Sequence, residues 1–123
     1  MIKLAMWSGP RNISTALMRS FENRPDTIVI DEPFYAHYLH KTGLQHKSFK
    51  EIISRGNTNW NEIVEYLTGT NPHSKKLWYQ KHMVHHNIIE NNLSWINAFT
   101  NVLLIRDPSE VITSYIKKEK LTN

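Results

Sequence analysis

Apolar and polar positions alternate along the chain so that short apolar runs, each closed by a polar turn, are separated by amphipathic stretches. Leu4, Ala5, Met6 and Trp7 form the first run, suited to a buried strand near 2 to 7. Ile13, Ala16, Leu17 and Phe21 then recur at helical spacing, which predicts a helix opening on Ser14-Thr15. Arg24-Pro25-Asp26 breaks that pattern, and the β-branched run from Thr27 to Asp31 predicts a second strand ended by Asp31-Glu32-Pro33, which puts carboxylates at the sheet edge where α/β proteins bind ligands. All-apolar strands beside a helix point to a parallel sheet covered on both faces.

Further along, Phe34 to Gly43 mixes aromatic and histidine residues without clean periodicity, which suggests an irregular or partly helical lid. Ser48-x-x-Glu51 and Asn59-x-x-Glu62 both read as capping boxes. The first is followed by Phe49, Ile52 and Ile53 on one face with Gly56 as a stop, the second by Trp60, Ile63, Val64 and Leu67 with Gly69 as a stop. Leu77 to Met83 fits a third strand, less apolar than the others, with Lys81 and His82 near its end. Ile88 to Phe99 is ambiguous, a loop followed by a short helix through Leu93, Trp95, Ile96 and Phe99. Val102 to Ile105 is the clearest buried strand by pattern. Arg106-Asp107-Pro108 closes it and starts a helix, with Asp107 as N-cap, Pro108 in the first position, Glu110 completing a capping box, and a stripe of Val111, Ile112, Tyr115 and Ile116 expected to be buried. The expected architecture is three-layer α/β/α, with at least four mainly parallel strands near 2 to 7, 27 to 31, 77 to 83 and 101 to 105.

Composition narrows the picture a little. At 123 residues the chain fits one domain and is short for two. Neither a membrane span nor a secretory signal is legible, so the cytosol is the default expectation. Without cysteine there is no thiolate metal site and no cysteine nucleophile. A net charge of +4 suits an anionic ligand. Nucleic acid is not expected as a partner, because the lysines are scattered and their one cluster, Lys117, Lys118 and Lys120, lies near the end.

Candidate chemistry gathers at two strand ends. Between the first strand and helix, SGPRNIST must reverse the chain and present N–H groups at a helix N-terminus, where unpaired donors and the dipole favour an anion, with Arg11 as an added cation. The spacing is not that of a Walker A loop, which disfavours an ordinary ATPase or kinase; an ordinary structural turn is the plainer reading. The second end is Arg106, with Ser114 eight residues later: a guanidinium fork and a hydroxyl able to share one phosphate, or simply a surface ion pair and a helical serine. His82, His85 and His86 bring to mind a metal site, but no matching carboxylate or cysteine spacing supports one.

Taken together, the two loops resemble a known family. PRNISTAL is similar to the phosphosulfate loop of P-loop sulfotransferases, usually PKSGTTWL, and LIRDPSEVITSYIKK to their 3′-phosphate motif. Both occur in the family's order, and with the VIDEPFYA segment the chain resembles the N-terminal part of a compact bacterial-type branch, C-terminally short. The resemblance implies binding of 3′-phosphoadenosine 5′-phosphosulfate by Arg11, Asn12, Ser14 and Thr15 at one end and by Arg106 and Ser114 at the other, with no metal. Ile13 replaces the loop glycine and Ala16 a tryptophan, and Arg11 stands where the family has lysine, exchanging a point charge for a fork. It further implies sulfuryl transfer to a hydroxyl or amine of a small acceptor. Glu32 is the first candidate for the base; His82 is the alternative, by analogy with a Lys-Thr-His-Leu-Pro motif, and Lys81 is the lysine that would neutralise the leaving phosphate. In that motif the lysine and histidine are separated by one residue, whereas Lys81 and His82 are adjacent and a strand points neighbours to opposite faces. Two other functions stay open: an inactive nucleotide-binding or interaction module of the same fold, and a kinase-like phosphoryl transferase, disfavoured by the missing Walker lysine.

Overall fold

The computed structural model describes residues 1–45, 48–87 and 92–122. In chain order come β1 (Ile2–Ser8), α1 (Ser14–Glu22), β2 (Thr27–Asp31), α2 (Tyr35–Thr42), α3 (Phe49–Arg55), α4 (Trp60–Thr68), β3 (Leu77–Met83), β4 (Thr100–Leu104) and α5 (Pro108–Thr122), with 3₁₀ turns at Pro72–Ser74, Val84–His86 and Ser94–Ala98. The strands form one parallel sheet in the order β2-β3-β1-β4. Helices on its two faces complete a three-layer α/β/α fold.

Strand alternation sorts the core into two layers. From β1, Ala5 and Trp7 face one way, joining Trp78 of β3, Phe34, Ile63 and Leu67 of α4, Trp95 and Phe99. Met6 faces the other way, with Tyr79 and Met18 of α1. The central position of β3 explains why it is the most buried strand although it is the least apolar: its polar residues Gln80, Lys81 and His82 are all enclosed.

Several sequence expectations are corrected. The run Val102 to Ile105 is not a buried strand; Leu103 is 69% and Ile105 82% exposed. Its pattern is that of a two-sided core strand, but β4 lies at the sheet edge and pairs only with β1 among the described residues, a placement no local pattern encodes. The stripe on α5 is likewise open, with Ile112, Tyr115 and Ile116 exposed. On α1 the buried positions are Ser14 and Met18, backed by Leu17 and Phe21, while Ile13 and Ala16 face outward. Ser48 has φ 65° and its side chain caps nothing, whereas Asn59 Oδ1 accepts the Glu62 N–H at 3.1 Å as expected. Asp107 caps α5 by accepting the Ser109 N–H at 2.8 Å, but Glu110 turns to Arg106 instead of closing the box. The lid segment is the regular helix α2, ended by Gly43 at φ 70°, where a residue without Cβ is favoured. Of the ambiguous stretch, residues 88–91 lie outside the described residues, and the short helix is the 3₁₀ turn that buries Trp95.

Candidate functional site

The loop from Gly9 to Ile13 leaves the C-terminal end of β1, at the sheet edge where parallel α/β proteins bind ligands. Asn12 is buried and staples it, donating from Nδ2 to the Gly9 carbonyl at 3.0 Å; its Oδ1 is enclosed without a partner. Arg11 (φ 62°) and Ile13 (φ 54°) are both left-handed. For a β-branched residue that conformation costs about 1–2 kcal/mol. Ile13 therefore changes the residue at the family's glycine position while keeping the backbone shape that glycine favours. The first turn of α1 follows at once, leaving N–H donors with no intrahelical partner.

Lys81 sits beneath that turn. Alternation along β3 sends Tyr79 and Lys81 to the α1 side, and the Lys81 ammonium donates to Thr15 Oγ1 at 2.8 Å. It also meets Asp31 Oδ1 at 3.1 Å and Glu32 Oε2 at 3.5 Å, with its side chain only 6% exposed. Asp31 is the register partner of Lys81 across the β2–β3 ladder, so their pairing is fixed by the sheet. Glu32 would point to the opposite face in a regular strand, but its φ of 45° turns the chain and brings the second carboxylate to the same ammonium. Burial pushes the Glu32 carboxyl above its ordinary value; Lys81 pulls it down, and Asp31 pushes it up again.

From the other side of the loop, Arg106 Nη1 donates to the Arg11 carbonyl at 2.8 Å and Arg11 Nε donates to Ser114 Oγ at 2.7 Å. Two segments a hundred positions apart are thereby joined at one point. The result is a cleft of about 410 Å³ whose walls include Arg11, Ser14, Thr15, Glu32, Lys81, Arg106 and Ser114, with Asn12 beside them. Three cations face one lining carboxylate there. A smaller hollow of about 260 Å³ continues past Arg106 and Ser114 to Lys117, which the sequence reading noted only in the lysine cluster near the end. Asp31 was legible as a carboxylate at the ligand-binding end of β2, but not as the partner of Lys81, because that pairing depends on register, which has no local signature.

His82 lies elsewhere. It is 1% exposed on the opposite face of β3, stacked on Trp7 at 4.6 Å between ring centroids, with Nε2 paired to Gln80 Oε1 at 3.1 Å. Burial holds its ring neutral, with a pKa lowered to about 3. His82, the alternative candidate for the base, is therefore not among the residues lining the cleft, because it follows Lys81 directly in a strand. His85 and His86 pack with Tyr38, and among the described residues no group of three or more His, Asp or Glu could hold a metal ion. No helix among the described residues is long and apolar enough to cross a membrane.

Comparison with known proteins adds an independent line. Two curated Arabidopsis thaliana proteins, branched-chain-amino-acid aminotransferase-like proteins 1 and 2, are 35% and 32% identical over 112 and 111 residues, which is 90% of this chain. The chain spans about one fifth of the length of each. No solved structure matches. The family described as a sulfotransferase domain matches residues 2–123, and so takes in both cleft-forming loops together with the strands that carry them. The chain belongs to that sulfotransferase family.

Proposed function

We propose that this chain is a single nucleotide-binding domain that moves a sulfuryl group from 3′-phosphoadenosine 5′-phosphosulfate to a hydroxyl or amine of a small acceptor. The observation that carries this reading is the convergence of Arg11, Ser14, Thr15, Lys81, Arg106 and Ser114 on one cleft that also holds Glu32. The donor set suits a ligand with anionic groups at two ends. The α1 turn, Thr15 and Lys81 suit the phosphosulfate end, and Arg106 and Ser114 the 3′-phosphate, with Arg11 between them. Asn12 acts through the loop, whose shape it holds. When bound, the donor supplies an activated sulfuryl group.

The chain's own residues then have three tasks. Lys81 and Arg11 neutralise the anion and stabilise charge that grows on it as the bond breaks. Glu32, its carboxyl kept above the ordinary range by burial, takes the proton of the acceptor hydroxyl or amine. The walls hold the acceptor atom in reach of both. The exposed apolar edge of β4 and α5 favours a second reading, a module of the same fold that binds nucleotide without turnover.

The test is thermal protection by adenosine 3′,5′-bisphosphate against AMP. The bisphosphate is expected to protect far better, since protection grows with the ratio of ligand concentration to Kd. A charge-assisted contact is worth about 1.5–3 kcal/mol, so Arg106→Ala should weaken the bisphosphate roughly 10- to 150-fold and leave AMP nearly unchanged. Equal protection by the two nucleotides in the unmodified chain would refute the 3′-phosphate assignment.

A further inference from the structure

The Lys81 ammonium is shared by two adjacent carboxylates, and the two are not equivalent. Asp31 is opposite Lys81 in the parallel ladder and holds the shorter contact, 3.1 Å against 3.5 Å for Glu32. The backbone of the pair is tied as well, since the Glu32 N–H donates to the Lys81 carbonyl at 2.9 Å. Glu32 reaches the ammonium only through a left-handed backbone turn, lies at the cleft wall and makes the longer contact. One carboxylate is thus anchored by the sheet, and the other is held by a turn.

We propose that Asp31 is the positioning residue of this cleft: by claiming Lys81 through the sheet register it fixes that ammonium beneath Thr15 and keeps Glu32 only loosely paired, free to accept a proton. This rests on the reading of Glu32 as the base, and it assigns a task to a residue outside the cleft lining. A lysine paired with Glu32 alone would hold the carboxylate tightly ionised and make it a poor base. With Asp31 present, the ammonium is already largely satisfied. Tyr35 from α2 also faces Glu32, its phenol pushed up by burial and by the Glu32 charge, and Arg11 and Arg106 line the same cleft.

Asp31 could also act on Glu32 directly, as a like charge nearby, and a double-mutant cycle separates the two routes. The Glu32 carboxyl carbon is followed by NMR against pH in the full chain, in Asp31→Asn, in Lys81→Met and in the double variant. Asp31→Asn is expected to lower the Glu32 midpoint in the wild-type background, where a freed Lys81 tightens on Glu32. In the Lys81→Met background the lowering should be clearly smaller, because only the like-charge effect remains. Equal lowering in both backgrounds, or none in the first, overturns the proposal. Lys81→Gln provides the same cycle should the methionine variant fail to fold.

Turnover offers a second readout. Asp31→Asn should shift the acid limb of the kcat/KM profile to lower pH and reduce kcat more than it changes the donor KM, with Asp31→Glu restoring both. A loss of stability with an unmoved limb overturns the proposal. The NMR cycle uses no nucleotide, so a failed preference for the bisphosphate would count against the proposed function and leave this inference to stand or fall by its own result.

Discussion

Lowering the pH from about 7.5 to about 5 should destabilise the chain through His82, and the size of that contribution follows from its burial. The folded chain keeps the ring neutral down to about 3 against an ordinary value of 6.5, while the unfolded chain protonates it at that ordinary value. Between those two values the unfolded state binds the extra proton, so stability is lost as the pH falls. The loss is about 2 kcal/mol by pH 5 and approaches roughly 5 kcal/mol below pH 3. Against a total of about 5–15 kcal/mol for a typical domain, even the first figure is a large fraction. Urea unfolding midpoints at several pH values measure it, and His82→Phe isolates it from the other histidines. The phenyl ring fits the cage of Trp7, Phe34 and Trp95 around the site. It leaves Gln80 Oε1 without its partner, so the variant should be less stable at neutral pH, by about 1–3 kcal/mol, yet its stability should fall less steeply with acid. Parallel pH curves for wild type and variant would refute the argument. Unimpaired nucleotide binding by the variant would agree with a histidine that serves the core, and a selective loss of binding would not.

Two other substitutions test separate parts of the account. Glu32→Gln should abolish sulfuryl transfer while sparing, or slightly strengthening, bisphosphate binding, because it removes the one carboxylate lining a cationic cleft; turnover at the wild-type rate would move the proton to solvent. Asn59→Ala should cost about 1 kcal/mol through loss of a made cap, whereas Ser48→Ala should cost almost nothing since that side chain caps no helix; thermal melts of the pair check both, and equal losses would refute the distinction.

The sequence showed most where a residue's task is local. The bounds of β2 and β3, the cap by Asn59 and the spacing of Arg106 to Ser114 all depend on neighbours a few positions away. Alternation alone foretold that Lys81 and His82 would part, and they do so across the full thickness of the sheet. Position within the sheet was not legible: Val102 to Ile105 carries the pattern of a central strand and sits at an edge, while the more polar Leu77 to Met83 is central. Nor was the Asp31–Lys81 pair, because register is decided between β2 and β3 and by neither strand alone. Ile13 shows a third limit, since closure by Asn12 and the tie from Arg106 to Arg11 impose a backbone conformation that isoleucine itself disfavours.

Sheet order also sets when the anion loop can form during synthesis. β1 is made first and lies at the centre, yet its neighbours come late: Ile2 pairs with Leu77, and Leu4 with Thr100. Until β3 emerges, the strand that carries the loop has no hydrogen-bonded neighbour, and Thr15 lacks the ammonium of Lys81. Such sequence-distant pairing slows folding, because loop closure precedes the contacts that reward it. The cleft is therefore completed only when β4 docks and brings Arg106 to Arg11, so an anion that bridges them would favour the state with β4 docked over those without it.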